Sequence, residues 1–442
     1  MTSQFPPGFI VAATHSGAGK STVTLGLLAA LKRRGLIPQP FKTGPDYIDP
    51  GHHQLAAERP CFNLDTWAMP APALRALVAD ASVGADVAVA EGVMGLFDGV
   101  DDDGKSGRAS TADLAALTGW PVVLVIDVQG QTETAAALAA GCANYRSDVR
   151  VAGVILNRVA GARHAALILP AFERLGIKVV GSIPRHEGFE IPERHLGLVQ
   201  AVEMGETERL SVLADVFSDA IDIDALLSLA AKPSFFVTAS TTLRASPSPP
   251  GSRIALAQDE AFSFTYHHLL LSWRQRGAEI IPFSPLADEA PDPAADAVWL
   301  PGGYPELHAG RLANAVRFKD GVARLAARSV LIHGECGGYM VLGEGLRDAS
   351  GERHQMLGLL KAETSFAERR LHLGYRDVRL LSDCALGAQG TEWAGHEFHY
   401  ATLVSDPGPA LFDCRNAGQQ GRRPFGSRIG SVTGSFVHLI WS

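Results

Sequence analysis

Nothing in this chain of 442 residues supplies a disulfide or zinc framework. It has five cysteines, Cys61, Cys142, Cys336, Cys384 and Cys414, far apart and none in a C-x-x-C pair. Such sparse thiols suit a reducing cytosol, and a cytoplasmic protein is expected. A basic excess is lacking too. Lys and Arg number 39 against 47 Asp and Glu, a net charge of −8, which argues against the positive stripe that a DNA or RNA surface needs. No uninterrupted apolar run approaches the roughly 18–20 residues that cross a bilayer. The opening MTSQFPPGFIVAAT has no basic leader ahead of a long apolar region, so neither a membrane span nor a secretory signal is expected. No repeat recurs at a fixed period. Hydrophobic residues still make up 46% and charged residues 19%, enough for a sizeable core. The length predicts two or three domains, and a homodimer is left open.

Short apolar and β-branched runs recur through the first half: Phe9–Ala13, Asp86–Ala90, Val122–Asp127, Val151–Leu156 and Val179–Ile183. Stretches of helical length lie between several of them, such as Ser21–Arg34, Thr132–Tyr145 and Ala162–Leu175. Fully apolar short strands alternating with helices predict a parallel sheet covered on both faces. From Pro233 to Ser252 the chain turns rich in Ser, Thr and Pro and reads as a linker. A second α/β pattern follows, with strands expected at Arg253–Gln258, Glu279–Phe283, Ala297–Leu300 and Ser329–His333, and a strand-dominated region past Gly358. The expected domains are therefore 1–232 and 253–442, joined by 233–252.

Residues 13–22, ATHSGAGKST, sit between a strand and a helix. Backbone N–H groups in such a loop point inward at phosphate oxygens, a lysine reaches the β/γ-phosphates, and a hydroxyl ligates Mg²⁺. This assigns Ser16, Gly17, Ala18, Gly19, Lys20 and Ser21 to ATP. Thr14 stands where the strict motif has glycine, and the loop resembles the variant form of dethiobiotin synthetase and the partition ATPases. Two acidic segments accompany it. KTGPDYIDP holds Asp46 and Asp49 in a loop, and DVAVAEGVMGLFDG brings Glu91 to a strand end with Asp98 seven residues later. Ligands of open parallel sheets bind beyond the carboxyl ends of strands, and Mg²⁺ takes one or two carboxylates with phosphates and water. Asn157 ends another strand, where its amide suits an adenine edge or simply a turn.

The run VLIHGECGGYM carries G-x-C-x-G at Gly334–Gly338, the thiol form of a strand–turn–helix elbow. Cys336 is then a nucleophile, the Gly337 N–H an oxyanion donor, and Gly302 or Gly303 of LPGGYPE the source of a second. His438 in GSFVHLIW is the candidate base. The other histidines read blandly. HEFH at 396–399 lacks the spacing of a zinc protease helix, and His52-His53 and His267-His268 have no metal-ligand spacing.

Taken together, SGAGKST, KTGPDYIDPGHH, EGVMGLFDG, STADLAALTGWPVVLVID, AGVILNRV, GSIPRHEGFEIPERHLGLV, LPGGYPEL, HGECGGYM, LHLGYRDV, GHEFHY and GSFVHL resemble the cobyrinic (or hydrogenobyrinic) acid a,c-diamide synthases of corrin biosynthesis nearly end to end. The resemblance implies an N-terminal P-loop domain of the dethiobiotin-synthetase type and a C-terminal class I glutamine amidotransferase-like α/β domain. It implies that Cys336 forms a glutamyl thioester and releases ammonia from L-glutamine, with His438 activating the thiol. ATP and Mg²⁺ would convert carboxylates of a corrinoid to acyl phosphates, which ammonia displaces, at the c side chain before the a side chain. Asp46, Tyr47, Asp49, Glu91 and Asp98 fall on matching motif positions. Asp46 and Glu91, with Ser21, are expected at the metal; Tyr47, Asp49 and Asp98 are expected near the substrate carboxylate. One departure stands out. Class I amidases carry H-x-E, and here Ile440 occupies the place of the Glu. Nickel-sirohydrochlorin a,c-diamide synthase and cobyric acid synthase remain as neighbouring readings. A partition-type ATPase switch with an inert amidase-like appendage remains as one of a different kind.

Overall fold

The computed structural model describes residues 5–185, 193–194, 197–198, 206–235 and 247–442. The chain divides into two compact units, Met1–Arg244 and Ala245–Ser442. Of the expected linker, residues 236–246 lie outside the described residues, as does most of GFEIPERHLGLV.

The first unit alternates strands and helices: β1 (Gly8–Ala13), α1 (Lys20–Arg33), β2 (Pro38–Thr43), α2 (Asp49–Ala57), β3 (Phe62–Leu64), α3 (Ala71–Ala81), β4 (Val87–Glu91), α4 (Thr111–Thr118), β5 (Val122–Asp127), α5 (Glu133–Tyr145), β6 (Val151–Val159), α6 (Ala162–Arg174) and β7 (Val179–Pro184). All seven strands pair parallel in the order β3-β2-β4-β1-β5-β6-β7. The sheet grows to one side of β1 through β4, and then to the other from β5 onward. The loops after β1 and β4 flank this reversal, where open α/β sheets bind ligands. β1 is buried along its whole length, as a strand covered on both faces must be.

β2 (PQPFKT) escaped the sequence reading because proline cannot donate to a ladder and argues against an interior strand. Its register resolves the conflict. β3 pairs only from Phe41 onward, so the edge of β2 at Pro38 and Pro40 is open on that side. Gln39 fills the space, its amide donating to the carbonyls of Pro40 and Pro60 at 3.0 and 2.9 Å.

In the second unit, strands Glu279–Phe283, Arg253–Ala257, Ala297–Leu300, Leu331–Glu335 and Val432–Ser435 lie side by side and parallel, with Ser427–Ile429 antiparallel at the edge. A five-stranded antiparallel sheet contains His372–Leu380, Glu392–His399 and Val437–Trp441. Phe436 separates two strands that belong to different sheets. Ser435 pairs with Glu335 in one sheet, and His438 pairs with His396 in the other. This switch carries the C-terminal histidine back toward the elbow. All five cysteines are free, and no described helix is long and apolar enough to cross a membrane.

Candidate functional site: a phosphate loop and a thiol elbow

The loop between β1 and α1 owes its shape to glycine. Gly17 and Gly19 have φ of +82° and +89°, conformations that L side chains rarely adopt. A Cβ on Gly19 would also collide with the amide of Asn157. Asn157 lies beneath the loop, its Nδ2 donating to the Ala18 carbonyl at 2.9 Å. Arg158, which the sequence reading passed over, donates to the Gly17 carbonyl (3.1 Å) and to Asp127 (2.5 Å). The loop is thus held from below by residues at the ends of β5 and β6. Ser16 and Gly17 are exposed, while Ala18 and Lys20 are buried.

Parallel register puts Lys42 of β2 directly beside Glu91 of β4. Lys42 Nζ donates to Glu91 Oε1 at 2.8 Å and to Asp49 Oδ2 at 2.5 Å, with Asp46 Oδ2 at 3.7 Å. Ser21 Oγ lies 2.7 Å from Glu91 Oε1 and 3.3 Å from Asp49 Oδ2. The second oxygen of Glu91 is bound by His53 Nε2. Lys42 and His53 were both missed from sequence: the carboxylate that joins them, Glu91, is 49 and 38 residues away, so no local spacing marks that contact.

Charge follows geometry. Burial alone would raise Glu91, yet Lys42 and His53 hold it well below the usual carboxylate range. Burial alone would depress Lys42, yet Asp49 and Glu91 push it well above the usual lysine value. Lys20 is lowered by burial, against the pull of Glu91. Asp46 is pushed up to about 7 by burial and by neighbouring Asp49.

The aspartates divide their work differently from the expectation. Asp49, not Asp46, stands against Ser21. Asp46 turns its Oδ1 to the backbone, accepting from Ile48 N–H (2.8 Å) and Asp49 N–H (3.3 Å) at the entry to α2. Three hard oxygen donors on Ser21, Asp49 and Glu91 suit a small divalent cation. Tyr47 is buried. Asp98 is exposed, its Oδ2 accepting from the Gly95 N–H at 2.9 Å. Its loop is pinned to β1 by Gly92 N–H on Val11 O and Leu96 N–H on Ala13 O, both 2.8 Å.

In the second unit the strand Leu331–Glu335 runs into Cys336 at φ 46°, ψ −104°, and the helix Gly337–Leu342 begins at the next residue. A non-glycine residue at positive φ is strained, and such strain clusters at functional turns. Close packing enforces it, because a Cβ on Gly338 would run into the Leu300 carbonyl. A Cβ on Gly337 would lie 3.1 Å from the Gly303 nitrogen, so the backbones of the two glycines pack closely together. A Cβ on Gly302 would press into the His438 ring and lie 3.3 Å from Cys336 Cβ. Gly302 therefore gives clearance between thiol and imidazole, and Gly303 faces the elbow.

Burial, then the charge of Glu306, pushes the Cys336 thiol up. Burial, then His396 and His399, pushes His438 down to about 3. The resting pair is a neutral thiol beside a neutral imidazole. HEFH lies on a strand, as expected. Glu397 accepts from Arg376 Nε at 2.6 Å and lies 2.9 Å from His399 Nε2.

Comparison with known proteins agrees with two chemistries in one chain. Residues 9–199 match the CobQ/CobB/MinD/ParA nucleotide binding domain, and residues 253–442 match the CobB/CobQ-like glutamine amidotransferase domain. The chain is 53% identical over 440 residues to hydrogenobyrinate a,c-diamide synthase of Rhodobacter capsulatus, covering 99% of both chains. It is 52% identical to the protein of the same name from Mesorhizobium japonicum and 51% identical to that of Brucella anthropi, with 98% of each chain covered in both cases. The chain joins a nucleotide-binding unit to a glutamine amidotransferase unit along the full length of these relatives, and it belongs to the hydrogenobyrinate a,c-diamide synthase family of glutamine-dependent amidating ligases.

Proposed function

We propose that this chain amidates the a and c side-chain carboxylates of hydrogenobyrinate or cobyrinate, using ATP to activate each carboxylate and ammonia from glutamine to displace the phosphate. The observation that carries this reading is the presence in one chain of the Ser21–Asp49–Glu91–Lys42 group and the strained Cys336 near His438. The acceptor follows the names of the relatives. Residues 1–232 are the synthetase domain and 253–442 the amidotransferase domain, joined by 233–252. A cytoplasmic site of action fits the free cysteines.

In the synthetase unit, the N–H groups of Ser16 to Ser21 and the Lys20 ammonium receive the triphosphate at the N-terminus of α1. Ser21, Asp49 and Glu91 would hold Mg²⁺, which would supply positive charge to offset the charge that develops during phosphoryl transfer. Lys42 keeps Glu91 ionised and lowers the repulsion that an anionic carboxylate meets on approach. His53 fixes the orientation of Glu91 through its far oxygen. Asp46 orders the turn into α2. Tyr47 and Asp98 belong to the acceptor side, and Asn157 supports the loop under the nucleotide.

In the amidase unit, His438 takes the thiol proton as the sulfur of Cys336 bonds to the glutamine amide carbon. The electron pair of the carbonyl moves to its oxygen, where the N–H groups of Gly303 and Gly337 receive it. As the tetrahedral species collapses, the C–N bond breaks and the same proton leaves with the nitrogen as ammonia. Water then hydrolyses the glutamyl thioester.

Product masses from cobyrinate, hydrogenobyrinate and nickel-sirohydrochlorin, each with ATP, Mg²⁺ and glutamine, test the reading. Two successive carboxylate-to-amide conversions of a corrinoid are expected. Amidation of nickel-sirohydrochlorin alone would overturn the assigned acceptor.

A further inference from the structure

The H-x-E carboxylate of class I amidases is missing here, because Ile440 occupies its place. A strand sets residues two apart on the same face, and both His438 and Ile440 are fully buried. A carboxylate approaches the imidazole from another direction. Glu335, the residue just before the nucleophile, ends the strand Leu331–Glu335 and is 2% exposed. Its Oε2 lies 4.0 Å from His438 Nδ1. Its Oε1 accepts from the Leu439 N–H at 2.8 Å, and the Trp299 indole donates to it as well. The carboxylate is thus anchored to the backbone of the very strand that carries His438, with its other oxygen turned to the ring.

We infer that Glu335 is the positioning residue of the amidase site, holding His438 with its proton on Nδ1 and Nε2 turned to the thiol. This inference rests on the reading of Cys336 and His438 as nucleophile and base. The ring already presents the required edges. Nε2 and Cε1 lie toward Gly302 and the elbow, and Nδ1 lies toward Glu335. A separation of 4.0 Å is longer than a hydrogen bond. Such contacts are commonly long without substrate and tighten when charge develops. Charge does develop here: once His438 has taken the thiol proton, the imidazolium faces a carboxylate, and no proton passes to Glu335. The device differs from H-x-E in its origin. The acid comes from the nucleophile's own strand, so one backbone segment fixes both the thiol and the group that orients its base.

Ionisation of Glu335 then matters. Burial pushes it up to about 8. Below that pH a protonated carboxyl offers no negative charge to His438 Nδ1; above it the carboxylate can accept from Nδ1 and meet the imidazolium. Among the described residues, the titratable groups around this pair are Cys336 at the elbow, on which Glu306 of the turn Pro305–Leu307 acts, His396, Glu397 and His399 from the strand Glu392–His399, and His268 beyond the Ile440 carbonyl.

The test uses Glu335→Gln in the full chain, with ammonia-dependent amidation as the control for an intact synthetase unit. At pH 8.5 the glutamine-dependent kcat should fall about 10- to 100-fold, within the range that outer-shell partners command. The KM for glutamine and the ammonia-dependent rate should stay within about twofold, since Glu335 meets neither substrate. The rising limb of wild-type kcat/KM near pH 8 should vanish in the variant. A variant with wild-type kcat and an intact limb overturns the inference. If Glu335→Gln does not fold, nitrogen-15 NMR of His438 in the wild-type protein decides: Nδ1–H above the limb supports the inference, and Nε2–H overturns it. Cys336→Ser separates the underlying reading, because continued glutamine use by that variant removes the thiol itself, whatever Glu335 does.

Discussion

Replacing Lys42 with Met would leave Asp46, Asp49 and Glu91 facing one another without the ammonium that all three share. Lys42 is 3% exposed and Glu91 fully buried, so Glu91 cannot turn to water. Breaking a buried pair by removing one partner costs about 3–5 kcal/mol, and urea unfolding of Lys42→Met should show a loss of that order. Added Mg²⁺ should restore more stability to the variant than to wild type, since the carboxylates are then freed for it. Amidation should fail with glutamine and with ammonia alike. A wild-type urea midpoint would mean that Lys42 does not neutralise this group.

At the level of elements, the hairpin His372–Leu380/Glu392–His399 carries its own buried charge. Glu397, 2% exposed, is tied to Arg376 and His399. Burial alone would raise it, but His399 and Arg376 bring it down to about 2. A carboxylate depressed in the folded state contributes stability above its ordinary pKa of about 4.5 and loses it as pH falls through the folded value. The contribution is about 3 kcal/mol. The amidotransferase unit should therefore lose stability between pH 4.5 and pH 2, and Glu397→Gln should flatten that slope. The same variant should cost about 3–5 kcal/mol at pH 7, since Arg376 stays buried without its partner. Acid titrations followed by tryptophan fluorescence measure both, and an unchanged slope would remove Glu397 from the balance.

Across the whole molecule the two chemistries sit in separate units, and the variants should respond asymmetrically. Lys20→Ala removes the charge that meets the phosphates and should abolish amidation from either nitrogen source. Cys336→Ser should abolish only the glutamine-dependent reaction, because a hydroxyl is a poor nucleophile at neutral pH. Chelating Mg²⁺ should copy Lys20→Ala and leave Cys336 reactive toward a glutamine-like diazo ketone. Steady-state rates with glutamine or ammonium chloride distinguish these outcomes. Full ammonia-dependent turnover by Lys20→Ala would take the lysine out of the nucleotide site.

The sequence by itself determined the features that chain geometry and burial write locally. Apolar runs of five or six residues became strands buried on both faces. Gly17 and Gly19 made a loop between strand and helix, and glycines on either side of Cys336 permitted its strained turn. Each is settled within about fifteen residues by allowed dihedrals and hydrophobic pattern. Tertiary structure decided which distant side chains meet. The register of β2 on β4 set Lys42 beside Glu91, and prolines had hidden that strand until the short reach of β3 explained them. Asp46 and Asp49 are three residues apart and alike in chemistry. Only the start of α2 sends one to its backbone amides and the other to Ser21. His438 and Glu335 lie about a hundred residues apart, and the sheet switch at Phe436 brings them within 4.0 Å. A one-dimensional pattern records periodicity and turns. Pairing between strands depends on topology, and the functional charges of both units lie on those pairings.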